Sequence, residues 1–245
     1  VGFTIYFVSK AVLDKFEAAY LMWETNRKWR DDRELDIKES NRLKEKIISL
    51  EFPPGMILQE AMLATIFEVS RTPVREAMNL LLQEGWLDRH ARVLMVRQPT
   101  EIDIQQIFEI RSILEIASLK KAFLEGNPRL LAGLLDDLVV SMVKESDFRK
   151  FMGFDIEFHA LIVKQMNNPK LTQFWYNIYE ETFRGGLWSM STVANRKNDV
   201  IDEHRVIAES CWERDFEKTL KALSIHHNNS KDALLQGLNL NNLGI

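Results

Sequence analysis

Apolar positions follow two regimes along this chain. Between about residues 36 and 98 they form short helical stripes and then two strand-like runs. Beyond 98 they recur at helical spacing, with no strand-like alternation. Leu43, Ile47, Ile48 and Leu50 predict a first helix, ended by Pro53-Pro54-Gly55. Met62, Leu63, Ile66 and Phe67 predict a short second helix. Val69 to Pro73 reads as a turn into a third helix, with Thr72 as its N-cap and Pro73 at its first position. Val74, Ala77, Met78, Leu81 and Leu82 then give one buried face, and Gly85 suits the stop. Trp86-Leu87 and Val93 to Val96 predict two short strands around a basic turn, Arg89 to Arg92.

After the linker Gln98-Pro99-Thr100 every segment reads as helix. Thr100 caps a long one, stopped by Gly126-Asn127-Pro128. The next carries Leu130, Leu131, Leu134, Leu135 and Leu138. Ser146 opens a third, ended by Asn167-Asn168, and Pro169 opens a fourth, expected to end near Gly185-Gly186. A fifth runs from about Asn198 to Glu213, and Asp215 caps a sixth that reaches about Leu235. The expected fold is mainly α. Three helices and a two-stranded wing occupy 36–98, and an all-α bundle of six or seven helices occupies 99–238. Residues 1–35 form an N-terminal extension with a helix from about Ser9 to Lys28, read as packing on its own protein or as a partner-binding arm. Residues 239–245 form a tail.

Composition narrows the chemistry. Hydrophobic residues make up 46% and charged residues 28%, a globular balance. The apolar run from Val1 to Leu13 is interrupted by Lys10, too short to span a bilayer, and lacks the charged start of a signal peptide. Cys211 is the only cysteine, so no internal disulfide forms, consistent with a reducing cytoplasm. The formal net charge of −4 supplies no general attraction to nucleic acid. Any such interface is therefore a local basic patch.

That patch has a location. Three short helices and a two-stranded ribbon make the winged helix-turn-helix plan, in which the start of the third helix meets base edges in the major groove. Arg71, Thr72 and Arg75 stand there, off the apolar stripe. An arginine can fork onto guanine O6 and N7, and a helix N-terminus favours phosphate. Arg89, His90 and Arg92 occupy the wing turn, within reach of the backbone or minor groove. Glu76 and Glu84 suit the opposite side.

Four pieces in order carry more than periodicity: Pro53-Pro54-Gly55, Leu58-Gln59-Glu60, Val69 to Ala77, and Glu84-Gly85-Trp86-Leu87. Together they resemble the DNA-binding domain of GntR-family regulators. Two positions depart from the family pattern. Glu68 and Ala91-Arg92 stand where the family usually has glycine, so a positive φ at Glu68 would cost about 1 kcal/mol.

The second region holds a set of metal-ligating side chains. Asp155 and His159 are four apart and share a helix face. His204 lies on the fifth expected helix, with His226 and His227 on the sixth. Periodicity does not choose between the last two. Asp155-x-x-x-His159, Glu203-His204, Asp215 and His226 resemble the FCD effector domain of the FadR-type branch of GntR regulators. The resemblance implies that Asp155, His159, His204 and His226 hold one divalent ion; zinc, nickel, manganese and iron all suit such donors. It also covers Arg111-Ser112-Ile113-Leu114-Glu115. Arg111 then has two readings, a clamp on an effector carboxylate or a salt bridge to Glu115. Arg184 is a second candidate anion-binding group.

The resemblances, over about residues 36–236, imply a ligand-responsive transcription regulator and not an enzyme. It would bind as a homodimer to a pseudo-palindromic DNA operator and answer to a small carboxylate effector, with no membrane involvement. The alternative is a metal-dependent hydrolase, since a three-histidine, one-carboxylate site can activate water. No motif places a further acid or base for that chemistry.

Overall fold

The computed structural model describes residues 36–242, with side chains described from 38 to 238. The expected helix from Ser9 to Lys28, like the rest of 1–35, lies outside the described residues. Within them the chain forms two compact units. One covers 36–47 and 52–97, the other 98–242 together with 48–51.

The first unit runs α1 (Asp36–Ile48), β1 (Ile57–Leu58), α2 (Glu60–Phe67), α3 (Arg71–Gln83), β2 (Leu87–His90) and β3 (Val93–Val96). Leu43, Leu63, Val74, Ala77, Leu81 and Val96 are fully buried and form its core. The sheet has three antiparallel strands in the order β1-β3-β2, not the two expected. The extra strand spans two residues, too few for alternation to reveal. It follows the Pro53-Pro54-Gly55 turn, whose Gly55 N–H donates to the Val96 carbonyl at 2.8 Å.

Helix α3 starts at Arg71, with Ser70 in the N-cap position, so Thr72 is the second helical residue and not the cap. Pro73 still lies in the first turn, where a missing N–H leaves no bond unmade. Gly85 stops the helix at φ 78°, with the Trp86 N–H closing back onto the Leu81 carbonyl, a Schellman pattern. Glu68 and Ala91 both take left-handed backbone, φ 58° and 53°, where the family usually places glycine.

The second unit is seven helices among the described residues: α4 (Glu101–Glu125), α5 (Pro128–Lys144), α6 (Phe148–Lys164), α7 (Pro169–Asn177), α8 (Tyr179–Thr192), α9 (Arg196–Glu213) and α10 (Phe216–Asn242). A reciprocal Thr100–Asp103 capping box starts α4. Helix α6 is capped by Asp147, one residue past the expected Ser146. The stretch expected as one helix ending at Gly185-Gly186 is two helices, and α8 runs through both glycines to Thr192. Close packing explains this. A Cβ on Gly186 would lie 2.2 Å from Met152 Cε, and one on Gly185 3.2 Å from Leu234. The glycines admit neighbouring helices instead of ending their own. Cys211 is buried, and burial pushes its thiol up to about 11, so it is inert at neutral pH.

Candidate functional site

Three helices of the second unit bring a set of donors together. Asp155 and His159 project from the inner face of α6, His204 from α9 and His226 from α10. All four are buried, and one ligand atom from each lies within 4.8 Å of the others. His204 Nε2 is 3.1 Å from His159 Nε2 and 3.6 Å from Asp155 Oδ1. Phe158 stacks on the His204 ring at a centroid distance of 4.0 Å and holds its plane.

The outer edges of two rings are fixed by carboxylates. His159 Nδ1 is 2.6 Å from Glu115 Oε2, and His226 Nδ1 is 2.7 Å from Glu203 Oε2. Each carboxylate accepts from its Nδ1–H, so each Nε2 presents a lone pair to the cluster. This carboxylate–histidine arrangement orients and strengthens imidazole ligands around a metal. Glu203 is fixed in turn by Arg196, whose guanidinium donates to both its oxygens at 2.9 and 3.1 Å, and by Asn229 at 2.8 Å. His204 Nδ1 is buried without a hydrogen-bond partner, while its Nε2 faces His159 and Asp155. Imidazole nitrogens converging beside a buried carboxylate fit a bound cation.

Electrostatics agree. Burial first, and the other cationic groups around them second, hold His204 and His226 well below the usual imidazole value. Both are therefore neutral and able to ligate at pH 7. Burial pushes Asp155 up from the ordinary carboxyl value against the pull of His159, Arg111 and Arg196. Burial opposes ionisation of Glu115 too, but His159, His227 and Arg111 outweigh it and keep that carboxyl well below its normal range.

His226 and His227 fall in different groups of donors. His227 faces Glu115 at 3.2 Å and the Ser112 hydroxyl at 3.2 Å. Glu115, His159 and His227 also approach one another, but Arg111 Nε already lies 3.2 Å from Glu115. A resident guanidinium takes the place a second cation would need.

Arg111 forms the salt bridge to Glu115 and keeps one nitrogen over. Its Nε bonds to Glu115, while its Nη2 is buried with no partner. Phe108 and Trp175 flank the guanidinium, with its carbon 5.2 and 5.8 Å from their ring centres. Arg111 lines a cleft, partly open to solvent, that also touches Asp155, His226, Arg196, Thr182, Ser189 and Ser230. Two donors of the cluster, Asp155 and His226, therefore share one cleft with Arg111. Arg184 is buried on α8 but is not among the lining residues. Arg196 was missed in the sequence. It opens α9 next to Asn195, and only the fold turns it inward.

In the first unit, Arg71, Thr72 and Arg75 are exposed on the first two turns of α3. Arg89 and His90 end β2, and Arg92 follows Ala91 in the wing turn, all exposed. Arg75 is not loose, since it forks onto Glu60 of α2 through Nε at 2.7 Å and Nη2 at 2.8 Å.

A winged helix-turn-helix unit followed along the chain by a helical bundle with a buried donor cluster is the plan of a regulator. Comparison with known proteins agrees. Residues 40–93 match the family of bacterial regulatory proteins called gntR, and residues 106–229 match the FCD domain. The chain belongs to the GntR family of DNA-binding transcription regulators and carries an FCD effector domain. It is 28% identical to a gluconate operon transcriptional repressor of Bacillus licheniformis, over 82% of this chain and 84% of that one. The corresponding repressor of Bacillus subtilis is 27% identical over the same shares. Among solved structures, a GntR transcriptional regulator from Rhodococcus sp. RHA1 superposes with a TM-score of 0.63, covering 82% of this chain and 97% of that one at 20% identity. The curated relatives are transcriptional repressors and not enzymes, which removes the hydrolase reading. Among the described residues no helix is long and apolar enough to cross a membrane.

Proposed function

We propose that this regulator works as a cytoplasmic homodimer on a pseudo-palindromic operator, and that a small carboxylate controls it by binding beside a divalent ion in the second unit. The observation that carries the reading is the shared cavity. It joins Asp155 and His226 of the donor cluster to Arg111, whose buried Nη2 has no partner. Asp155, His159, His204 and His226 would hold the ion, with Glu115 and Glu203 orienting two of the imidazoles. Bound there, the ion would offer a carboxylate a Lewis-acidic partner. Arg111 would balance the remaining charge, and Arg196 adds a second guanidinium to the same wall. Because the donors come from α6, α9 and α10, ligand binding and helix packing are linked. Arg71, Thr72 and Arg75 would read the operator, with Arg89, His90 and Arg92 on backbone or minor groove.

Dimerisation has its own support. Ile102, Ile113 and Leu124 on α4 are 62%, 70% and 73% exposed and recur every eleventh residue, which places them along one side of the helix. An aliphatic stripe of this length suits a second copy of the same helix.

The test is a panel of small mono-, di- and hydroxycarboxylates scored by thermal shift and by release of operator. At least one should raise the melting temperature and alter operator affinity. Both effects should vanish in Arg111→Ala and after chelation. Responses that survive both treatments would refute the shared site.

A further inference from the structure

We propose that Glu60, an acid on the helix before the recognition helix, is a specificity-determining residue of the DNA interface. It clamps the side edge of the Arg75 guanidinium and leaves the end edge as an oriented fork for a base. The proposal rests on the DNA-reading role of α3.

The geometry is specific. Glu60 is the first residue of α2, and both of its oxygens accept from Arg75, Nε at 2.7 Å and Nη2 at 2.8 Å. That bond pair consumes the side edge of the guanidinium. Of its five N–H groups, the two on Nη1 and the outer one on Nη2 remain. One N–H from each terminal nitrogen forms the end-on pair, whose spacing matches guanine N7 and O6. A phosphate accepts from any N–H, whereas a bidentate base contact needs the whole plane held in register. Glu60 supplies that register before DNA arrives, which removes rotamer freedom that binding would otherwise have to freeze.

Stability does not explain the pair. The Arg75 side chain is 60% exposed and that of Glu60 34% exposed, and ion pairs so placed add little to folding. Non-specific affinity does not explain it either, because a carboxylate on this surface repels a polyanion. The formal charges of residues 36–98 cancel, so the head has no spare positive charge with which to offset that repulsion. An acid here weakens general attraction and fixes one reader, a combination that favours discrimination. Arg71 stands one turn before Arg75, and its charge also acts on Glu60. The acid thus remains ionised within the basic face.

The experiment uses the full chain. Binding sites are enriched from random duplex DNA with wild type. Affinities of wild type, Glu60→Gln, Glu60→Ala, Arg75→Ala and the double variant Glu60→Gln/Arg75→Ala are then measured on the selected duplex, on each single base-pair change, and on a scrambled duplex. Arg75→Ala identifies the base pair that Arg75 reads. Both Glu60 variants should lose roughly tenfold discrimination at that base pair alone, while binding to scrambled DNA stays the same or tightens. The double variant should discriminate no worse than Arg75→Ala. Melting curves matching wild type would show that the fold is intact. A uniform change across all base pairs, or full discrimination kept without Glu60, overturns the proposal. If wild type selects no site, the DNA-reading assignment of α3 fails, and this proposal fails with it.

Discussion

Glu68→Gly should stabilise this protein, and the size of the effect follows from one backbone angle. Glu68 closes α2 at φ 58° and ψ 42°, the left-handed region, with its N–H returned to the last turn of that helix. A side chain with a Cβ costs about 1–2 kcal/mol there relative to the right-handed form. Glycine escapes that penalty but loses more conformational freedom on folding, worth roughly 0.5–1 kcal/mol in the opposite direction. The difference is a net gain between zero and about 1.5 kcal/mol, about 0.75 at the middle of both ranges. For a head of this size melting on its own, that is a few degrees in Tm. The control is Glu68→Ala, which removes the carboxylate but keeps the Cβ in the same conformation. Calorimetry on wild type and both variants separates charge from backbone. The glycine variant should melt highest, and alanine should gain nothing from the backbone. If Glu68→Ala stabilises as much as Glu68→Gly, the gain comes from charge and the strain argument is wrong.

Four further outcomes are expected. Ala91→Gly relieves the same strain in the wing, at φ 53°, and should raise Tm without weakening operator binding. Arg71→Ala should cost about 1–3 kcal/mol at the selected operator while binding to scrambled DNA falls far less, measured by fluorescence anisotropy. Ile113→Glu places a charge in the middle of the exposed α4 stripe and should shift wild-type dimers to monomers in light scattering; wild-type monomers would refute that interface. In chelator-treated protein, acid should weaken the fold. His204 and His226 are held well below the usual imidazole value, by burial first, so the unfolded chain takes up their protons before the folded one does. Their contribution is complete above about pH 6.5 and is lost as pH falls below it. A melting temperature flat from pH 7.5 to 5.5 would contradict this.

Much of this architecture is written in local chemistry. The Val74–Ala77–Met78–Leu81 face, the Thr100–Asp103 box and the Gly126-Asn127-Pro128 break act within a few residues, so periodicity and capping residues locate α3, α4 and the start of α5. Features that depend on distant packing were hidden. Gly185-Gly186 looks like a helix end, and only Met152 and Leu234 from other helices show why glycine stands mid-helix. The two-residue β1 exists because β3 offers it an edge. Asp155 and His159 reveal their shared face through spacing, but His204 and His226 came only from resemblance, since no local pattern links α9 to α10. Arg196 and the Glu60–Arg75 fork join residues on different elements, and their pairing has no sequence signature.

The most direct test of the central claim is metal content. Protein purified without chelator should carry about one divalent ion per chain by elemental analysis, and His204→Ala and Asp155→Asn should carry far less. Chelation should lower the melting temperature of wild type and leave both variants little changed, because binding energy at such a site is partly folding energy. Equal metal content in all three proteins, or a wild type whose melting ignores the chelator, would make the four buried donors packing residues and remove the ion from the account.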